Sequence, residues 1–243
     1  MATKEFTHLH VHTEYSMLDG AARLGDLFTY AKELGMKSMA TSDHGFLFGA
    51  FDFWRQAKAH DIKPIIGVEA YLTPGTHRTD RSRVRWGDGS RDDVSGGGAY
   101  THMTMWAETT EGMHNLFRAS SIASLEGQLY KPRMDREVLQ TYSKGLIATT
   151  GCPSGEVQTR LRLGQFDEAI QAASDFRDIF GKDNFYCEVM DHGLDIERNV
   201  QEDLHRLAKQ LNLPYVATND LHYTRQEDHT AHAALLCVQS GST

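Results

Sequence analysis

Short apolar runs alternate with stretches of helical period along the whole chain. The strand-like runs cover 6–12, 38–44, 64–72, 100–108, 145–152, 185–190 and 214–222. Helical spacing follows each in turn, at 24–34, 48–59, 111–126, 136–142, 155–163, 166–180, 196–211 and 228–238. The pattern is clearest in 166–180, where Phe166, Ala169, Ile170, Ala173, Phe176 and Phe180 recur at the period of one helix face. It recurs in 196–211 through Ile196, Val200, Leu204, Leu207 and Leu211. Strict β–α order calls for a parallel sheet covered by helices, and seven or eight such units can close into a barrel. The expected fold class is therefore α/β, with one domain over residues 1–243, no linker and no internal repeat.

Local punctuation supports this reading. Gly35 ends the first helix, Asp135 caps 136–142, and Ser154 is expected to cap 155–163. In the second helix Phe48, Phe51 and Trp54 share a side, and residues 131–133 read as a connector. Residues 73–99 break the pattern with six glycines, five arginines and Trp86, and are expected to form a long mobile loop. The arginines and Trp86 suit nucleic acid, whereas the interspersed Asp80, Asp88, Asp92 and Asp93 suit a solvated loop.

Hydrophobic residues make up 40% of the 243, enough for a sizeable core. No run of about 18 apolar residues occurs, so no membrane partner is expected, and the first residues lack a signal peptide's apolar block. Three cysteines, Cys152, Cys187 and Cys237, are too few for a disulfide framework, which makes the cytoplasm the expected location. A net charge of −8 argues against a broad nucleic-acid footprint, so a phosphate substrate needs a local attractor such as bound cations.

The alternation also gathers unusual side chains. His8, His10 and His12 share one face of the first strand, and Asp19 follows in the next loop. His44 ends the second strand, Glu69 lies near the end of the third, and His102 lies in the fourth. Cys152 ends the fifth, and Asp220 and His222 end the seventh. In a parallel barrel all C-terminal strand ends open on one face, so these residues would converge. Five histidines, two aspartates, one glutamate and one cysteine suit more than one divalent ion. The cysteine tilts the choice toward zinc, with manganese or iron as alternatives. Two or three ions about 3.5–4 Å apart clamp a phosphate and activate water. His8 reads as a structural neighbour, and Asp43, Tyr15 and Asn219 as partners that orient ligands. Asp191–His192–Gly193 reads either as a substrate contact or as a polar turn.

The stretches 8–20 (HLHVHTEYSMLDG), 42–49 (SDHGFLFG), 62–71, 131–133, 145–152 and 218–223 resemble one family. It is the polymerase-and-histidinol-phosphatase (PHP) domain at the N-terminus of bacterial replicative DNA polymerase III α subunits. The resemblance covers nearly the whole chain. It implies a distorted (βα)7 TIM-like barrel with a trinuclear site held by His10, His12, Asp19, His44, Glu69, His102, Cys152, Asp220 and His222. An intact set implies a metal-dependent 3′→5′ exonuclease that proofreads the 3′ end of a DNA primer strand. It also implies polymerase domains further along a longer chain, other replisome subunits as partners, and no polymerisation by this portion alone. Two alternatives stand beside it: a histidinol-phosphatase-like phosphoesterase, and a non-catalytic, metal-stabilised platform for the polymerase and a proofreading subunit.

Overall fold

A computed structural model describes residues 6–90 and 93–242. In chain order the elements are α1 (Leu24–Glu33), β1 (Ser38–Thr41), α2 (Ala50–Ala59), β2 (Lys63–Leu72) and the single turn α3 (Ser95–Gly98). There follow β3 (Thr101–Ala107), α4 (Thr110–Glu126), β4 (Gln128–Leu129), β5 (Lys131–Met134), α5 (Arg136–Tyr142) and β6 (Leu146–Thr149). The remainder is α6 (Glu156–Arg162), α7 (Phe166–Phe180), β7 (Phe185–Val189), α8 (Asp195–Leu211), β8 (Tyr215–Ala217) and α9 (His229–Ser240). The chain forms two compact units. One holds the residues up to Val68 and those from Asn219 onward, and the other holds Glu69–Thr218.

In the first unit β1 pairs in parallel with the start of β2, Ser38 opposite Lys63 and Thr41 opposite Ile66. Residues 8–13 are extended beside β1: the Ala40 N–H donates to the His8 carbonyl and the Ser42 N–H to that of Val11. On the other side the His12 N–H donates to Leu221 and the Leu221 N–H to His10. The expected first strand is thus reduced to isolated bridges, Val11 with Leu221 and Thr13 with Ala22. Two features interrupt the ladder. The Ser42 hydroxyl takes the Val11 N–H at 2.8 Å, and Asp220 has a left-handed backbone with φ +43°. The core packs Phe28 edge-on to Phe53 at 4.8 Å, and Val11, Leu27, Met39 and Ala57 of the same unit are also buried.

Helix α2 carries Phe51 and Trp54 on the solvent side, with exposed Phe48 just before it, while Phe53 and Ala57 are buried. Both sets have helical spacing, so periodicity alone could not choose between them.

In the second unit the strand order is β4-β5-β2-β3-β6-β7-β8. Three expectations change here. Residues 131–133 belong to β5, parallel to β2 (Tyr71 opposite Arg133) and antiparallel to β4. Pro132 lies inside β5, just before that β2 register. β3 and β6 pair antiparallel, Met105 opposite Ala148, because apolar content reports burial and not strand direction. Ser154 caps nothing: Gly155 is the N-cap of α6, with no side-chain bond, and the Ser154 carbonyl accepts from the His102 N–H at 3.1 Å. Asp135 does cap α5, accepting from the Val138 N–H at 3.0 Å.

Side-chain bonds tie the described residues of the 73–99 loop. The Asp93 carboxylate accepts from the N–H groups of Trp86, Gly87, Gly89 and Val94 at 2.8–3.0 Å. Arg160 lies 3.7 Å over the Trp86 ring, which occupies one face that the sequence had offered to a base. Arg133, 1% exposed, donates to the carbonyls of Arg78, Asp80 and Ala99 at 2.8–3.2 Å. Arg91 and Asp92, counted in the sequence reading of this loop, lie outside the described residues.

Candidate metal centre

Six of the nine predicted ligands meet in the first unit. The extended backbone of residues 8–13 turns His10 and His12 to one side, and both are fully buried. Their Nε2 atoms lie 3.3 and 3.2 Å from Asp220 Oδ1. His222 lies beside them, its ring centroid 4.4 Å from that of His12, and His44 stands 4.1 Å from His12. Asp19 Oδ2 reaches His44 Nε2 at 2.5 Å and His222 Nε2 at 3.3 Å. Donor atoms of His12, His44 and His222 all fall within 4.8 Å of one another, as do those of His10, His12 and Asp220. Four imidazoles and two carboxylates at this separation form a donor set suited to divalent cations.

The tautomers favour ligation. Ser16 Oγ donates to Asp43 Oδ1 at 2.7 Å and accepts from the His44 N–H at 3.1 Å. Its one proton is committed, so at 3.0 Å it must accept from His12 Nδ1–H. The lone pair of His12 then sits on Nε2, the atom facing Asp220. His222 repeats the device: Nδ1–H donates to the Asp220 carbonyl at 2.7 Å, which leaves Nε2 toward Asp19. Asp43, 4% exposed, also accepts from the Thr13 N–H at 2.7 Å and from the hydroxyls of Thr13 and Thr41.

Burial pushes the Asp19 carboxyl up. Its bonds to His222 and His44 outweigh that and hold it well below the usual carboxylate range. Burial lowers His222, but Asp19 and Asp220 raise it on balance above an ordinary histidine.

The other three predicted ligands meet in the second unit. Glu69 Oε1 lies 3.0 Å from His102 Nδ1 and accepts from Cys152 Sγ at 3.1 Å. Cys152 Sγ is 3.8 Å from His102 Nδ1. Glu69 and Cys152 are buried, at 1% and 6% exposure. Cys187 differs: burial and neighbouring Glu188 push its thiol up to about 12, so it is a protonated packing group.

The remaining predictions divide. Asp43 is an orienting residue, as expected. The Tyr15 hydroxyl instead donates to Asp52 at 2.6 Å. Asn219 is exposed. His8 is in neither donor group; burial lowers its pKa and Phe6 packs edge-on at 4.9 Å. Glu197 accepts from the His192 N–H at 2.8 Å and lies 2.6 Å from its Nδ1, in the turn that leads into α8.

Two neighbours escaped the sequence reading. Ser16 stands four residues after His12, a spacing without meaning on a strand. His232 of α9 donates from Nε2 to the Asp19 carbonyl at 2.9 Å, with its ring 5.5 Å from that of His222. No short-range spacing links it to the rest.

A family profile described as "PHP domain" matches residues 8–192. DNA polymerase III subunit alpha of Saccharopolyspora erythraea is 59% identical over 252 residues, covering 100% of this chain and 21% of that protein. The subunits of Mycobacterium leprae and Deinococcus radiodurans are 54% and 44% identical, covering 100% and 99% of this chain and 21% and 18% of theirs. The chain spans about a fifth of the length of these curated relatives. Among solved structures, an amidohydrolase from Chromobacterium violaceum aligns with a TM-score of 0.52 at 13% identity, over 91% of this chain and 89% of that one. A two-domain protein from Bacteroides vulgatus, described as containing a predicted PHP-like metal-dependent phosphoesterase, aligns with a TM-score of 0.51 at 15% identity. That match covers 91% of this chain and 53% of the other. These likenesses give the fold class, an α/β distorted barrel. Among the described residues no helix is long and apolar enough to cross a membrane.

Proposed function

The chain belongs to the PHP domain family, and on that basis we propose that it is a metal-dependent 3′→5′ exonuclease acting on DNA. In this reading it forms the proofreading portion of a longer replicative polymerase chain. The observation that carries the reading is the set of buried His10 and His12 with half-buried Asp19, His44, Asp220 and His222, with donor atoms within a few ångströms. A structural role alone would not require four imidazoles to crowd two carboxylates at a site walled by buried His10 and His12, since buried polar groups cost free energy unless they are paired or ligated. The names of the relatives supply the substrate class, DNA.

In this proposal all nine residues, including Glu69, His102 and Cys152, hold a trinuclear centre. The cysteine among nitrogen and oxygen donors favours zinc over manganese or iron. Divalent cations there supply neutralisation of phosphate charge and a lowered pKa for water. The chain's own groups do the rest. His12 and His222 present Nε2 because Ser16 and the Asp220 carbonyl occupy their Nδ1 atoms. Asp19 stays ionised at neutral pH, as a ligand must. Hydrolysis adds water across the terminal P–O3′ bond. It releases a nucleoside 5′-monophosphate and leaves a 3′-hydroxyl on the strand.

The test incubates the purified 243-residue chain with a 3′-labelled mismatched primer–template, with and without chelator, alongside metal analysis. Release of the mispaired nucleotide is expected with metal, and loss of release with chelator, His12→Ala or Asp220→Asn. Release that persists in both variants overturns the proposal. Bound metal without hydrolysis replaces it with the platform reading. Turnover of a phosphomonoester but not of DNA replaces it with the phosphatase reading.

A further inference from the structure

The second unit carries an unexplained surface beside Glu69, His102 and Cys152. Tyr130, between β4 and β5, is 71% exposed and has φ +61°. A bulky residue pays for a left-handed backbone, and such strain clusters at functional positions. Arg83 lies 5.0 Å over the Tyr130 ring and donates to the carbonyls of Gly96 and Gly97 at 2.5 and 3.0 Å. The glycine turn seats this arginine: Gly98 has φ +94°, and a Cβ there would stand 2.3 Å from the Val84 carbonyl oxygen.

Asp80, Asp88 and Asp93, three of the aspartates interspersed among the loop arginines, face backbone. Asp80 accepts from the Ser82 N–H, Asp88 from the Ser90 N–H, and Asp93 from four amides. Among the described residues Arg81, Arg83 and Arg85 make no carboxylate ion pair. Next to Tyr130, the Lys131 ammonium lies 5.3 Å over the Tyr71 ring. Tyr71 stands edge-on to His102 at 5.1 Å, and Tyr100 stacks on His102 at 5.8 Å. Cations and rings therefore run in series from Tyr130 to a proposed metal ligand.

A ring that can take a base, flanked by cations that can take phosphates, is the composition of a single-strand track. We propose that Arg83, Tyr130 and Lys131 bind single-stranded DNA behind its 3′ end and direct that end toward Glu69, His102 and Cys152. Tyr130 stacks on one base while Arg83 and Lys131 meet flanking phosphates. The choice of DNA rests on the function proposed above. Tyr130 acts as a positioning residue.

The test is fluorescence anisotropy of the 243-residue chain with a 5′-labelled oligothymidylate whose linkages are phosphorothioate, so that binding is read without cleavage. Tyr130→Gly keeps the left-handed backbone and removes the ring, and should weaken binding by about 10-fold. Arg83→Gln and Lys131→Gln should each lower the slope of log affinity against log salt by about 0.7. Circular dichroism melts identify any variant that fails to fold. Wild-type affinity in folded Tyr130→Gly, with unchanged slopes in the other two, overturns the track. Binding that responds to these variants without DNA hydrolysis upholds the track and removes the nuclease. Hydrolysis with unresponsive binding does the reverse.

Discussion

Ser16 shows how much of the candidate centre depends on a residue that carries no metal chemistry. Its hydroxyl sits between Asp43 and the backbone and ring of two predicted ligands, His44 and His12. Asp43 accepts every hydrogen bond offered to it, from one N–H and three hydroxyls. Asp43→Asn places an amide donor where only acceptors fit. The expected cost is about 1–3 kcal/mol of stability, read by urea unfolding. Through Ser16 and His12 it should also lower metal affinity about 10- to 100-fold, read by metal content after dialysis against a competing chelator. Unchanged metal content in a folded variant would mean that Ser16 does not fix the His12 tautomer. The predicted ligand types were legible in sequence because His-x-His and Asp-x-His state chemistry and face together. Ser16 and His232 were not, because loop closure brings them in and no period records it.

At the scale of elements, the sequence showed where the chain would be regular better than how the pieces would pair. Helices α7 and α8 lie where the apolar period put them, and Asp135 caps α5 as expected. The antiparallel β3–β6 pairing, the β5 strand containing Pro132 and the buried face of α2 were not legible. Direction, partner and competing faces depend on tertiary contacts, which local spacing does not encode. The 73–99 loop is the clearest case, since its glycines and charges are plain in sequence while the side-chain bonds that tie it are not. Asp135 serves both the α5 cap and this loop, accepting from the Arg78 N–H at 2.9 Å and from its Nη1 at 3.0 Å. Asp135→Ala should lose about 1 kcal/mol from the cap. It should also free the loop, with faster tryptic cleavage after Arg81, Arg83 or Arg85 at unchanged far-UV circular dichroism. Limited proteolysis followed by mass spectrometry reads the sites, and cleavage at the parent rate would show that Asp135 does not hold the loop.

For the molecule as a whole, two sets of side chains, six in one unit and three in the other, should answer to metal. Cations that bind only the folded state stabilise it by mass action, about 2.7 kcal/mol at a hundredfold excess over the dissociation constant. The melting temperature should therefore rise with zinc and fall with chelator. A common centre makes a further demand. His12 belongs to the first unit and Cys152 to the second, so separate sites would give independent losses of zinc-dependent stabilisation in His12→Ala and Cys152→Ala. Shared ligation instead makes the losses non-additive: either variant should remove most of the zinc response, and the double variant little more. The measurement is a four-member thermal-shift cycle across a zinc titration, with urea unfolding in chelator to subtract packing costs. Strict additivity would divide the nine residues into two unconnected sites, and a three-ion reading would then fail even if each site held metal. A non-additive result joins the units energetically through the metal, so that chelation would remove hydrolysis and stability over the same concentration range.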